Sequence, residues 1–198
     1  MYRQKRRIAL AREAGVSRCW AGNLGAARLA REAGMTVHGG FSLNVTNTAA
    51  LAFYERFGLA DTELSFELTL AQAARLGGAL PRGILVYGRL PLMLTRACPA
   101  ANGPKGCLRC KKTGRIPVLT DRRGVQFPVQ CMGACSEVLN SVPLELCDRP
   151  AELRFADFGT ARFTTEPEET WGGVLKRLFA GEAPSGEWTR GLAYRGME

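Results

Sequence analysis

Met35-Thr-Val-His-Gly-Gly-Phe-Ser-Leu-Asn-Val45, Thr48-Ala-Ala-Leu-Ala-Phe-Tyr-Glu-Arg-Phe57 and Asp61-Thr-Glu-Leu-Ser-Phe-Glu-Leu68 are the stretches whose reading decides the fold. The first has strand character. The second is a helix capped by Asn47 or Thr48 and stopped by Gly58, and the third is strand again. Strand and helix alternating at such short intervals mark β/α units on a parallel sheet. Upstream the rhythm continues, with an amphipathic helix over Tyr2 to Gly15, which implies a core-facing stripe, a short strand over Ser17 to Gly22 carrying Cys19 and Trp20, and helix over Leu24 to Gly34. Downstream follow a helix over Thr69 to Leu76 and an apolar strand, Gly83 to Gly88, through Ile84-Leu-Val-Tyr87.

The rhythm breaks between Cys98 and Cys135, where Gly, Pro and Lys are frequent and periodicity is weak, as in an insertion folded around a ligand. Within it Val118-Leu-Thr120 and Gln126-Phe-Pro-Val129 flank the turn residues Asp121-Arg-Arg-Gly124, which predicts a hairpin that returns Cys131 towards Cys107 and Cys110. Beyond Cys135 the chain reads as helix or turn to Pro143. Glu152 to Phe158 reads as a strand, and Pro167 to Ala180 as an amphipathic helix with Trp171, Val174, Leu175 and Leu178 on one face. The sequence past Ala180 reads as a tail packed over the domain. The expected organisation is 1–96 as β/α units, 97–147 as a cysteine-rich segment and 148–198 as a final strand, helix and tail.

Bulk properties narrow the class. A chain of 198 residues with 46% hydrophobic and 23% charged content is long enough to bury a core and is not a disordered tail. No run of eighteen apolar residues occurs and the start, Met1-Tyr-Arg-Gln-Lys-Arg-Arg7, lacks an apolar signal core, so the expectation is a cytoplasmic protein without membrane partners. The net charge of +9 favours a polyanionic partner. Cations cluster at Arg3, Lys5, Arg6 and Arg7 and again at Lys105, Arg109, Lys111, Lys112 and Arg115, although solvated surface charge accounts for such clusters equally well.

Five of the seven cysteines fall between Cys98 and Cys135. Without a secretory signal, that crowding points to metal and not to disulfides. Cys107-Leu-Arg-Cys110 is a CxxC, whose two thiolates reach one metal from one tight turn, with Gly106 relaxing the backbone ahead of it. Cys98 and Cys131 complete four thiolates, and Cys135 is a spare close by. Such a set suits tetrahedral zinc or an iron-sulfur cluster, and the neighbouring Lys105, Arg109, Lys111 and Lys112 would lower the thiol pKa values and offset the charge of the site. Cys19 and Cys147, isolated in apolar surroundings, read as inert buried thiols.

Val86-Tyr-Gly-Arg-Leu-Pro-Leu-Met93, Arg96-Ala-Cys-Pro99, Gly106-Cys-Leu-Arg-Cys110, Leu119-Thr-Asp-Arg122, Phe127-Pro-Val129 and Leu139-Asn-Ser-Val-Pro-Leu144 together resemble the peptidase U32 family. Gly22-Asn-Leu-Gly25, Phe41-Ser-Leu-Asn-Val45 with Asn47 and Thr48, and Thr189-Arg-Gly191 extend the likeness over nearly the whole chain. The family is named for collagenase-like proteases, and several members resemble O2-independent hydroxylases that carry a 4Fe-4S cluster and act on RNA bases or ubiquinone precursors. Those that modify RNA are thought to draw the hydroxyl group from prephenate. The resemblance implies a (β/α)8 barrel with the cluster beside its mouth. It further implies a 4Fe-4S cluster, or zinc as the alternative, on Cys98, Cys107, Cys110 and Cys131, with Cys135 competing with Cys110 as a ligand. Pro91 stands where some members carry their first cysteine, and the CxxC belongs to only part of the family.

By that resemblance the chain is expected to begin where a family barrel has already passed about three strands. The expectation is therefore an α/β partial barrel of C-terminal strands with a cysteine-rich metal-binding insertion, completed by a protein partner or a second copy, and poorly active alone. Strand ends line the active-site face of such a barrel, which makes His38, Asn44, Glu67 and Arg89 the candidate catalytic residues. Arg89 suits a bidentate grip on a carboxylate of prephenate. A hydrogen-bonded structural role is the plain alternative for each. His38 is the only histidine, and no Ser-His-acid set or HExxH occurs, so the sequence gives proteolysis little support. Three functions stay open: RNA hydroxylase, peptidase, and zinc-stabilised binding protein.

Overall fold

The computed structural model of the chain describes residues 2–104, 106–107, 110–132 and 135–195. In chain order its elements begin with α1 (Tyr2–Glu13), β1 (Arg18–Ala21), α2 (Leu24–Glu32), β2 (Thr36–Gly39), α3 (Thr48–Phe57), β3 (Asp61–Glu63), α4 (Leu70–Ala74) and β4 (Arg82–Gly88). There follow β5 (Pro91–Thr95), α5 (Cys110–Thr113), β6 (Val118–Thr120), β7 (Gln126–Cys131), β8 (Ser136–Leu139), β9 (Leu144–Glu145), β10 (Phe158–Arg162) and α6 (Glu168–Ala180). The chain forms two compact units. One comprises the chain up to Leu85, Pro150–Thr160 and the chain from Leu192; the other comprises Val86–Arg149 and Ala161–Gly191. These units follow contacts and not chain order, so the boundary expected after residue 96 lies inside the second unit.

The first unit is built on parallel strands in the order β1-β2-β3-β4-β10. Its helices start and stop on local signals. Asn23 and Asn47 each accept, through Oδ1, a backbone N–H at 2.8 Å, from Ala26 and Ala50 respectively. Thr69 and Gln72 form a capping box for α4. Gly58, at φ +87°, ends α3 in a conformation only glycine adopts without strain. Val37, Leu51, Leu59 and Leu64 are among its buried core residues, each contributing about 1.5–3 kcal/mol by leaving water.

Trp20 on β1 and Phe158 on β10 bring their rings to 6.3 Å, edge to face. In a flat sheet the first and fifth strands lie about 19 Å apart, at roughly 4.8 Å per strand. The sheet therefore curls so that its two outer strands meet across one concave face, an arrangement compatible with part of a barrel. Gly83 makes room for this: a Cβ there would lie 2.1 Å from the Phe158 ring.

Three expectations for this unit need correction. The strand foreseen over 35–45 stops at Gly39, because the chain turns through a 3-10 helix, Phe41–Leu43, and Asn44 at φ +51°. The strand foreseen over 61–68 ends at Glu63, beyond which Leu64 makes only an isolated bridge to Val45. Helix α1 buries no described residue, and its Leu10 is 54% exposed, so it lacks the core-facing stripe expected of it.

The second unit carries a four-stranded antiparallel sheet in the order β5-β8-β7-β6. Its β6–β7 hairpin turns at Asp121–Gly124 as foreseen, with Asp121 Oδ1 accepting from the Arg123 and Val125 N–H groups at 2.8 and 2.9 Å. Where helix or turn was expected after Cys135, Ser136–Leu139 is instead a central strand paired on both sides, with β5 and β7. The strand expected over Glu152–Phe158 is displaced. Pro150–Leu153 forms a 3-10 turn and β10 starts at Phe158. In the second unit β9 also pairs antiparallel with the end of β4, through Tyr87 opposite Glu145 and Gly88 opposite Leu144. Helix α6 buries Val174 and joins β9 through Arg177, whose Nε and Nη2 donate to the Glu145 carboxylate at 2.9 and 3.0 Å.

Candidate active site and candidate metal centre

Register decides which side chains share the concave face of the first unit. Trp20 pairs with His38, His38 with Asp61, and Glu63 with Gly83. Partners directly opposite in a sheet, and residues two apart on one strand, project from the same side. Trp20, His38, Asp61 and Glu63 therefore form one row that ends beside Phe158. His38 Nδ1 lies 2.7 Å from Asp61 Oδ2, and both side chains are about one-fifth exposed. An ionised carboxylate only accepts, so Nδ1 carries the hydrogen, and in the neutral ring Nε2 then holds the lone pair, the geometry an oriented general base requires. The indole of Trp20 stacks on the imidazole at 5.8 Å and 15°, which fixes the ring plane.

Glu63 is 2% exposed. Its Oε2 accepts from the Phe41 N–H at 2.7 Å, while Oε1 and Asp61 Oδ1 are buried with no hydrogen-bond partner among the described residues. A buried and a part-buried carboxylate on one face, each with one buried oxygen lacking a partner among the described residues, depart from ordinary packing. They make the row the candidate site of the first unit.

Of the four residues expected from sequence, His38 lies in this row. Asn44 and Glu67 follow the C-terminal ends of β2 and β3, the loop positions that carry chemistry in β/α folds. Asn44 is an exposed left-handed turn residue, and Glu67 donates its N–H to Ser65 Oγ at 3.3 Å. Arg89 belongs to the second unit. Its Nε donates to Thr165 Oγ1 at 3.0 Å and its Nη1 to the carbonyls of Asn140, at 3.1 Å, and Ser141, with Glu166 at 3.9 Å. The guanidinium thus braces the turn at 140–141, and among the described residues Nη2 has no hydrogen-bond partner. Sequence reasoning missed Trp20, Asp61 and Glu63. Two acidic residues two apart on a short strand, Asp61-Thr-Glu63, were the signal that could have shown them.

The cysteines are grouped by the antiparallel sheet. Thr95, at the end of β5, lies opposite Ser136, the first residue of β8, and Ser136 lies opposite Cys131, the last residue of β7. Strand β6 starts at this same end, since its Val118 pairs with Pro128. Both the 96–117 connection, with Cys98, Cys107 and Cys110, and the 132–135 turn, with Cys135, therefore belong to the end of the sheet where Cys131 stands. Cys98 precedes a 3-10 turn, Pro99–Asn102, that packs on β6. Cys107 is exposed and Cys110 opens α5. Lys105 and Arg109 lie outside the described residues, as does the Lys111 side chain.

These thiols suit a soft metal or cluster, and no carboxylate competes in either connection. The backbone gathers them without closing them into a ligand set: among the described residues no three Cys, His, Asp or Glu side chains converge to hold a metal. Cys19 and Cys147 are different. Burial raises the Cys19 thiol, and burial with Glu145 and Asp148 nearby pushes the Cys147 thiol up to about 11. Both are thus poor thiolates at neutral pH.

Among the described residues no helix is long and apolar enough to cross a membrane. No protein-family model, curated protein or solved structure matches the chain.

Proposed function

We propose that this chain is a partial-barrel protein of the type the peptidase U32 family represents. Its second unit binds a 4Fe-4S cluster on Cys98, Cys107, Cys110 and Cys131, and it serves O2-independent hydroxylation of an RNA base with prephenate as hydroxyl donor. The observation that carries the reading is the gathering of five cysteines, four in two connections and Cys131 at the end of β7, at one end of one sheet. When bound, such a cluster would supply one-electron redox chemistry. Arg96, Lys112 and Arg115, in the same connection as three of the thiols, offset the negative charge of four thiolates.

In the first unit His38 Nε2 takes or returns a proton while Asp61 holds the tautomer, and Trp20 keeps the imidazole plane fixed. Proteolysis through a cysteine finds no support here. Cys19 pairs with Val37, one residue out of step with the Trp20–His38 pair, so it projects from the opposite face of the sheet.

Anaerobic purification followed by iron and sulfide analysis tests the metal assignment. The expected product is brown, absorbs broadly near about 400 nm and loses iron in Cys98→Ala and Cys131→Ala. Full iron retention in both variants, or a colourless protein holding stoichiometric zinc, would overturn it. Hydroxylation of RNA by the loaded protein with and without prephenate tests the reaction.

A further inference from the structure

A cleft of about 910 Å³ opens in the second unit, bordered by Arg89, Gly124, Gln126, Ser141, Glu187 and Trp188. We infer that this cleft binds a single-stranded nucleic acid, with one base stacked on Trp188 and the backbone running along the β6–β7 turn. The inference rests on the reading above only for the claim that the bound strand is a substrate; binding itself needs no metal.

The volume falls in the range of roughly 300–1,000 Å³ that suits a ligand the size of a nucleotide. Trp188 is 36% exposed, yet it is held on all its anchors. Arg190 covers its ring at 4.4 Å and is itself clamped by Asp148 through two contacts at 2.5 and 2.6 Å. The next residue, Thr189, donates its N–H to the Pro143 carbonyl at 2.9 Å and accepts from the Glu145 N–H at 3.1 Å. An indole fixed in this way, with surface left towards a cleft, is a preformed stacking platform.

Charge selects the partner. Between Arg96 and Arg123 the sequence holds eight Lys and Arg against a single acid, Asp121, and that carboxylate is engaged inside the turn. Among the described residues Arg96, Lys112, Arg115, Arg122 and Arg123 make no ion pair, whereas Glu137, Glu145 and Asp148 each hold a structural arginine. Arg122 and Arg123 are exposed on the turn that supplies Gly124 and Val125 to the cleft wall. The exposed cations Arg122 and Arg123 beside the cleft wall suit phosphates. Glu187 on the wall can accept from a base N–H, and Arg89 Nη2 adds a further donor. An acidic peptide would use the cations and leave the indole without a stacking partner. Pro128, on the wall, stands three residues before Cys131, about 10 Å along the strand at roughly 3.3 Å per residue.

Fluorescence anisotropy of labelled 12-mer oligouridylate and oligodeoxythymidylate, titrated with the full chain over a salt series, tests the proposal. Binding of either strand is expected. Trp188→Ala should weaken it on the order of tenfold at every salt concentration, and Trp188→Phe should keep most of the affinity. Arg122→Gln with Arg123→Gln, on an exposed turn whose Asp121 and Gly124 are retained, should lower the salt slope by about 1.4. Trp188-dependent binding retained in the Cys98→Ala/Cys131→Ala chain supports the cleft whatever the metal content. No binding of either strand at low salt, equal affinity in Trp188→Ala, or equal competition by polyglutamate would overturn the proposal.

Discussion

Replacing Arg177 by methionine keeps an unbranched apolar stem and similar helix propensity and removes the guanidinium. The Glu145 side chain is 1% exposed and Arg177 is 17% exposed, with both carboxylate oxygens in contact at 2.9 and 3.0 Å. Removing one partner of so buried a pair strands a charge that water cannot reach, at a cost of about 3–5 kcal/mol. That is a large share of the 5–15 kcal/mol available to a typical domain. For a chain of this length it corresponds to a fall in melting temperature of about 6–20 °C. Glu145 also raises the Arg177 pKa further above its ordinary value, chiefly through the hydrogen bond, so the pair stays intact across any accessible neutral or alkaline pH. Urea unfolding followed by circular dichroism should show a lower midpoint at unchanged slope. The double variant Glu145→Met/Arg177→Met, which removes both charges, should recover most of the loss. A single variant within 1 kcal/mol of the parent would show that the bridge is solvent-screened and that α6 is held by its apolar face alone.

Gly83→Ala should destabilise by about 1–3 kcal/mol, because its methyl would lie 2.1 Å from the Phe158 ring, and Phe158→Leu in the same chain should relieve part of this in thermal melts. Asp148 is held below the usual carboxylate range mainly by its hydrogen bond from Arg190. A depressed folded-state pKa contributes stability above the unfolded value near about 4 and loses it as pH falls through the lower folded value. The stability gap between the parent and Asp148→Asn should therefore be constant from about pH 6 to 8 and shrink below about pH 4; a gap independent of pH would contradict the pairing. Iodoacetamide at about pH 7.5 should label exposed Cys107 of the metal-free chain well before Cys19 and Cys147, whose thiols burial raises, as mass spectrometry would show.

Helix α3 and the β6–β7 hairpin were legible because their information is local. Asn47 caps, Gly58 stops, and Asp121 to Gly124 close a turn among themselves. Strand β8 was not, because Ser136–Leu139 owes its extended form to β5 and β7, more than forty residues apart in the case of Thr95 and Ser136. Strand β10 shifted for a similar reason: its start is set by Asp157, which pairs with the Arg82 backbone 75 residues away. The cysteines could be singled out by spacing, yet which sheet end gathers them depends on that same pairing. His38 was visible as the only histidine. Asp61, 23 residues on, becomes its partner through the register of two strands, which no local signal sets.

The chain passes between its two compact units four times, after Leu85, Arg149, Thr160 and Gly191. Neither unit is a continuous stretch of gene. A single recombination breakpoint anywhere between residues 86 and 191 would join pieces of both units to foreign sequence, so neither could be inherited or exchanged as a cassette. A grafting experiment that moves either unit whole has to transplant at least two separate segments, although the imidazole row itself lies on one, from Trp20 to Glu63.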